Sequence, residues 1–190
     1  DGIVVVVSPQ SPVNALSIDD IAKVFSGAVT DWSQLGFAAG KINVYAPDDK
    51  QGTFGTFNSL LLKPRKLTIS ADAERFDSNA DIADKVAADA NAIGLTSFAF
   101  KRESKPLSIQ SVCGLITKPS QFSVKSEEYV LSRRLYLYTT GQLAHPQARA
   151  FLDFVKSPAG QAVVTDNEFT DQSVDALAFQ DQGGRIAYAL

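Results

Sequence analysis

The sequence predicts an α/β fold, on three observations. A β-branched run at residues 3–7 ends at Ser8-Pro9, as a buried strand does. Capped amphipathic segments follow at 18–25 and 79–90, where Ser17 and Ser78 precede apolar residues at helical spacing. Further apolar runs at 42–46 and 92–96 alternate with those segments, the order that gives crossover connections in a sheet.

Each element has its own reason. Five consecutive aliphatic residues at 3–7 read as a strand buried on both faces, as in the middle of a parallel sheet. Ser17 is followed by Asp20 and by an apolar face of Ile18, Ile21, Val24 and Phe25, and Ser26-Gly27 stops that helix. Residues 30–36 form a compact turn whose Trp32 reads as a core anchor. A helix is expected from Thr53 to Leu62 with Phe57, Leu60 and Leu61 inward, ended by Pro64. Ser78 caps a helix carrying Ile82, Ala83 and Val86. Short strands are expected near 107–109 and 113–116, and a strong one at 135–138. Pro146 opens a helix carrying Phe151, Leu152, Phe154 and Val155, and Ser157-Pro158 opens another. From Phe169 to Leu190 no pattern emerges.

With 190 residues, 45% hydrophobic and 21% charged, the chain can fill one domain or two small lobes. The net charge of −3 and the lack of a basic stripe disfavour a nucleic-acid partner. No apolar run has the length of a membrane span. The chain has no methionine, so a processed protein or a fragment is expected. Cys113 is the only cysteine, which rules out an internal disulfide and reads as a small buried hydrophobe. Asp19-Asp20 and Asp48-Asp49 are neighbours in sequence that do not face each other, and solvation explains both. His145, before Pro146, reads as a helix cap. With one His and one Cys in separate segments, catalysis is the weakest class, and neither a metal nor another cofactor is implied.

The most informative stretch is 44–57, where an apolar strand runs through a polar loop into Gly52-Thr53 and a helix. Such a start offers unpaired backbone N–H groups and a hydroxyl, backed by the positive end of the helix dipole. It is a candidate oxyanion seat, beside the plainer reading of a helix start that satisfies itself.

Several runs, taken in order, resemble the phosphate-binding branch of the periplasmic substrate-binding proteins that serve ABC transporters. They are residues 1–7, 16–32, Ser78-Asn79 with 91–94, 129–138 and 151–160. The resemblance implies a type II fold of two α/β lobes joined by two crossover strands, with the ligand held between the lobes. It implies a first crossover at 1–10, a ligand-binding lobe at 11–130, and a return crossover with C-terminal helices at 131–190. The N-terminal part of the first lobe is absent from that match. The helices after Pro146 would then need another partner for their apolar faces, such as a second copy of the chain.

The family's anion loop has Arg, three residues, then Ser-Gly-Thr. Aligned on Gly52-Thr53, the Arg position holds Pro47 and the Ser position Gln51. Asp1 matches the hinge Asp that takes the proton of hydrogen phosphate. By resemblance, then, the ligand-binding residues are Asp1, Gln51, Gly52 and Thr53. Lys50, expected to face solvent, and Arg133, near the return crossover, are the candidates to replace the missing cation. The implied function is extracytoplasmic binding of a small oxyanion, phosphate first, for delivery to an ABC transporter permease. The alternative is a non-transporting sensor or interaction module that keeps the fold without tight phosphate binding.

Overall fold

A computed structural model of the chain describes residues 1–139 and 145–173. Strand β1 (Ile3–Val7) is followed by β2 (Ala15–Ser17), helix α1 (Ile18–Ser26), a 3-10 turn at Trp32–Leu35 and β3 (Asn43–Pro47). Helix α2 (Gly52–Phe57) continues through a π-helical turn (Asn58–Leu62) into a 3-10 turn (Lys63–Arg65). Then come β4 (Glu74–Phe76), α3 (Asn79–Ala88), β5 (Ala92–Ser97), β6 (Lys105–Pro106), β7 (Ser108–Gln110), β8 (Ile116–Thr117) and α4 (Gln121–Lys125). Helices α5 (Pro146–Lys156) and α6 (Pro158–Asp166) complete the described elements.

The main sheet has the order β4-β3-β5-β1-β6, and a smaller one the order β2-β7-β8. Strand β3 runs parallel to β4 and β5, whereas β1 pairs antiparallel with β5 and β6. β1 is buried on both faces, as its composition requires. The expected parallel setting is corrected: composition reports burial on both faces, not strand direction.

The local signals act as read. Ser17 Oγ accepts from Asp20 N (3.0 Å), Ser78 Oγ accepts from Asp81 N (3.2 Å), and Gly27 ends α1 at φ +79°. Asp31 and Gln34 form a reciprocal capping box around the 3-10 turn. Trp32 is buried there, and its indole N–H donates to Asn91 O at 3.1 Å.

Four expectations change. Leu60 is exposed and Leu62 takes the inward place, because the π-helical turn advances the buried face by about one residue. Cys113 is exposed at the tip of the β7–β8 hairpin, where Gly114 turns at φ +88°. Residues 135–138 form no strand and stay exposed. Their β-prone side chains have no neighbouring strand among the described residues to pair with. His145 sits at the N-cap of α5 but makes no side-chain capping bond. Helices α5 and α6 pack on each other and leave Phe151, Phe154 and Val163 exposed. The unpatterned tail falls largely outside the described residues, from 174 onward.

Candidate functional site

The site forms where the first residues of the chain meet the segment after α4. Asp1 and Arg133 exchange two backbone hydrogen bonds, Arg133 N to Asp1 O at 2.8 Å and Asp1 N to Arg133 O at 3.0 Å. Ile3 N adds a bond to Leu131 O at 2.9 Å, so two short extended segments lie side by side. This pairing puts the two side chains on one spot. Arg133 Nε and Nη2 donate to Asp1 Oδ2 at 3.0 and 2.6 Å, and Ser97 Oγ donates to Asp1 Oδ1 at 2.9 Å. The Asp1 side chain is 1% exposed and that of Arg133 19%.

The guanidinium also reaches the start of α2. Nη2 lies 3.5 Å from Thr53 Oγ1, and a Cβ placed on Gly52 would stand 3.4 Å from Nη1. Gly52 is exposed and Thr53 buried. The first helical bond runs from Gly55 N to Gln51 O (3.0 Å), and Gln51 makes no side-chain cap. The amides of Gly52, Thr53 and Phe54 precede that bond, in the turn where a helix has no acceptors of its own. A cation thus sits against the positive end of a helix, offset by one buried carboxylate. Burial pulls the Arg133 pKa below its ordinary value, yet a guanidinium stays charged at neutral pH. The arrangement suits a small anion bound by a charged fork, a hydroxyl and backbone amides.

Of the residues singled out in the sequence, Asp1, Gly52 and Thr53 converge here. Gln51 is adjacent in the chain, but its side chain is spent elsewhere: Nε2 donates to Asp77 O and Oε1 accepts from Asn79 Nδ2 at 3.1 Å. Lys50 is exposed, whereas the guanidinium of Arg133 lies against Thr53 and Gly52. Ser97 lies outside the ligand set that the sequence gives, and Arg133 enters it only as a candidate replacement cation beside Lys50, because its pairing with Asp1 spans 132 positions.

A groove of about 440 Å³ between β2, α1 and β7 holds the carboxylate of Asp20, which is engaged by Ser17 and Lys23. Among the described residues, no group of three or more His, Cys, Asp or Glu is placed to hold a metal ion. At the start of β3, Asp89 Oδ2 accepts from Asn43 Nδ2 (2.8 Å) and Tyr45 Oη (3.0 Å). Burial works to raise the Asp89 pKa, but hydrogen bonds from Asn43, the Asn91 backbone and Tyr45 hold it below the ordinary value. Burial, then Asp89, pushes the Tyr45 hydroxyl up to about 12. The folded protein therefore holds this proton more tightly than the unfolded chain. Tyr45's contribution to stability is complete below its ordinary value of 10.0 and is lost as pH rises towards about 12. Spectrophotometric titration of the phenolates should show a Tyr45→Phe-sensitive transition near that upper value.

The fold is of α/β type, and this site is its candidate seat for a small anion. The chain belongs to the PBP superfamily, whose domain profile matches residues 1–159. It is 30% identical over 177 residues to the phosphate-binding protein PstS of Bacillus subtilis, covering 91% of this chain and 57% of the relative. It is 26% identical over 176 residues to PstS of Borreliella burgdorferi, covering 89% of this chain and 62% of the relative. The chain thus spans about three fifths of the length of these curated relatives. Among solved structures it resembles a phosphate ABC transporter substrate-binding protein from Clostridium perfringens with bound phosphate. The TM-score is 0.77 at 24% identity, over 91% of this chain and 69% of that one, a likeness of fold. No helix among the described residues is long and apolar enough to cross a membrane.

Proposed function

We propose that the chain binds phosphate, or a closely similar hydrogen oxyanion, outside the cytoplasm. It would act as the substrate-binding component of an ABC-type uptake system and deliver its cargo to the permease. In this reading the ligand-binding lobe at 11–130 gives Gly52 and Thr53 to the seat, while Asp1 comes from the first crossover at 1–10 and Arg133 from 131–190, which holds the return crossover and the C-terminal helices. The observation that carries it is the convergence of Arg133, Asp1 and Thr53 at the exposed start of α2. Membership of the PBP superfamily and the names of the relatives support the same ligand class.

The chemistry favours an anion that carries a proton. Asp1 Oδ1 accepts from Ser97 and keeps acceptor capacity for a ligand hydroxyl. Fully ionised sulfate offers no such hydroxyl and would set its charge against a buried carboxylate. Titration calorimetry of the chain near neutral pH should give heat with phosphate and arsenate, and none with sulfate. A flat response to all three, or sulfate held as tightly as phosphate, would remove the reading.

A further inference from the structure

The loop between β3 and α2 is laced to the connection between β4 and α3, and we propose that Gln51 and Arg75 are positioning residues for the seat. They hold the start of α2 in shape without touching the anion. The inference rests on the reading of Gly52, Thr53 and Arg133 as that seat.

The lacing comes from both ends of the loop. Arg75 Nε donates to Pro47 O at 2.9 Å, and Nη2 donates to the same carbonyl and to Asp49 Oδ1 at 2.8 Å. The guanidinium lies 4.2 Å from the ring centroid of Phe54, a buried residue in the first turn of α2. One side chain thus grips the last residue of β3, the loop and the helix start. Asp48 N donates to Phe76 O at 2.8 Å. Gln51 closes the other end, with Nε2 on Asp77 O and 3.5 Å from Phe76 O, and Oε1 on Asn79 Nδ2.

The polarity of these bonds is dictated rather than chosen. The carbonyls of Phe76 and Asp77 can only accept, so the Gln51 amide must turn its NH₂ towards them and its oxygen towards Asn79. Asn79 then presents its own NH₂ to Gln51, which leaves its buried Oδ1 without a partner among the described residues. The benefit falls on α2. Gln51 makes no side-chain cap, so the first-turn amides are left to other acceptors while its amide braces the turn from outside. Preformed donors bind an anion without an ordering cost.

The test uses Gln51→Met, which keeps bulk and removes the three side-chain hydrogen bonds, with Arg75→Ala and Arg75→Lys. Phosphate affinity is measured by calorimetry, exchange of the helix-bonded amides of 55–57 by hydrogen–deuterium exchange, and the thermal midpoint checks the fold. Gln51→Met and Arg75→Ala should each weaken phosphate about tenfold, roughly the worth of a lost charged or paired hydrogen bond. Both should speed exchange at 55–57, where the first helical bond runs from Gly55 N to Gln51 O, while the midpoint moves little. Arg75→Lys should recover part of both effects, because an ammonium still donates to Pro47 O. Unchanged affinity, or unchanged exchange at 55–57, overturns the proposal. Should the parent chain give no heat with phosphate, the oxyanion reading fails by itself. Exchange then decides the brace: faster at 55–57 upholds it, unchanged sinks it.

Discussion

Arg133→Met is expected to abolish phosphate binding measurable by calorimetry and to lower the unfolding free energy by about 3 kcal/mol. Both losses have one cause. The guanidinium is the charged group that reaches both Asp1 and the start of α2, so its removal takes away the charge-assisted fork on the anion. It also strands the Asp1 carboxylate, 1% exposed, with Ser97 as its remaining side-chain donor. A buried charge left unpaired costs about 3–5 kcal/mol, and the lower end applies because Arg133 is 19% exposed. Adding Asp1→Asn separates the effects. The neutral amide no longer needs a cation, so urea unfolding should show most of the lost stability restored. Binding should stay absent, since neither the fork nor the proton acceptor has returned. A single Arg133→Met variant that binds phosphate like the parent would show that the anion seat lies elsewhere.

The sequence offers Arg133 only as one of two candidate cations, beside Lys50, and the reason is range. Ser17 and Ser78 announce their helices because a cap bonds within a few residues of itself, and those bonds form as read. The aliphatic run at 3–7 announced burial on both faces, but whether its neighbours run with it or against it depends on pairing with β5 and β6, far along the chain. The same limit explains residues 135–138. Leu and Tyr alternate there as in a strand, yet a strand exists only beside another, and backbone pairing with the chain start reaches no further than Arg133. Leu60 is a different case. A regular period of 3.6 puts it inward, and the π-helical turn, which composition does not signal, puts Leu62 there instead. Near the candidate site, the start of α2 at Gly52-Thr53 is legible because a helix start is local chemistry. The bracing role of Gln51 was not, since its partners belong to a connection 25 residues or more away.

Gly94→Val is expected to cost about 3 kcal/mol in urea unfolding and to weaken phosphate binding from a distance. Gly94 lies on β5 under α3, where a Cβ would stand 2.5 Å from Val86 Cγ2, 3.0 Å from Ile82 Cγ2 and 3.3 Å from Val6 Cγ2. Val86 and Ile82 are fully buried, so neither can swing aside into solvent. The added methyl groups must therefore lift α3 from the sheet. The helix is anchored at its start by Thr96 Oγ1, which donates to Asn79 O at 2.9 Å, and Asn79 in turn holds Gln51. Lifting α3 thus loosens the brace on α2, while Ser97 on the same strand shifts beneath Asp1. Trimming the obstruction tests the mechanism. Val86→Ala alone leaves a cavity and costs stability, but in the Gly94→Val background it vacates the space the new side chain needs. The double variant should be less destabilised than the sum of the singles, a favourable coupling of about 1 kcal/mol or more, and should recover part of the lost affinity. Strict additivity would mean that the strand, rather than the helix above it, transmits the strain to the seat.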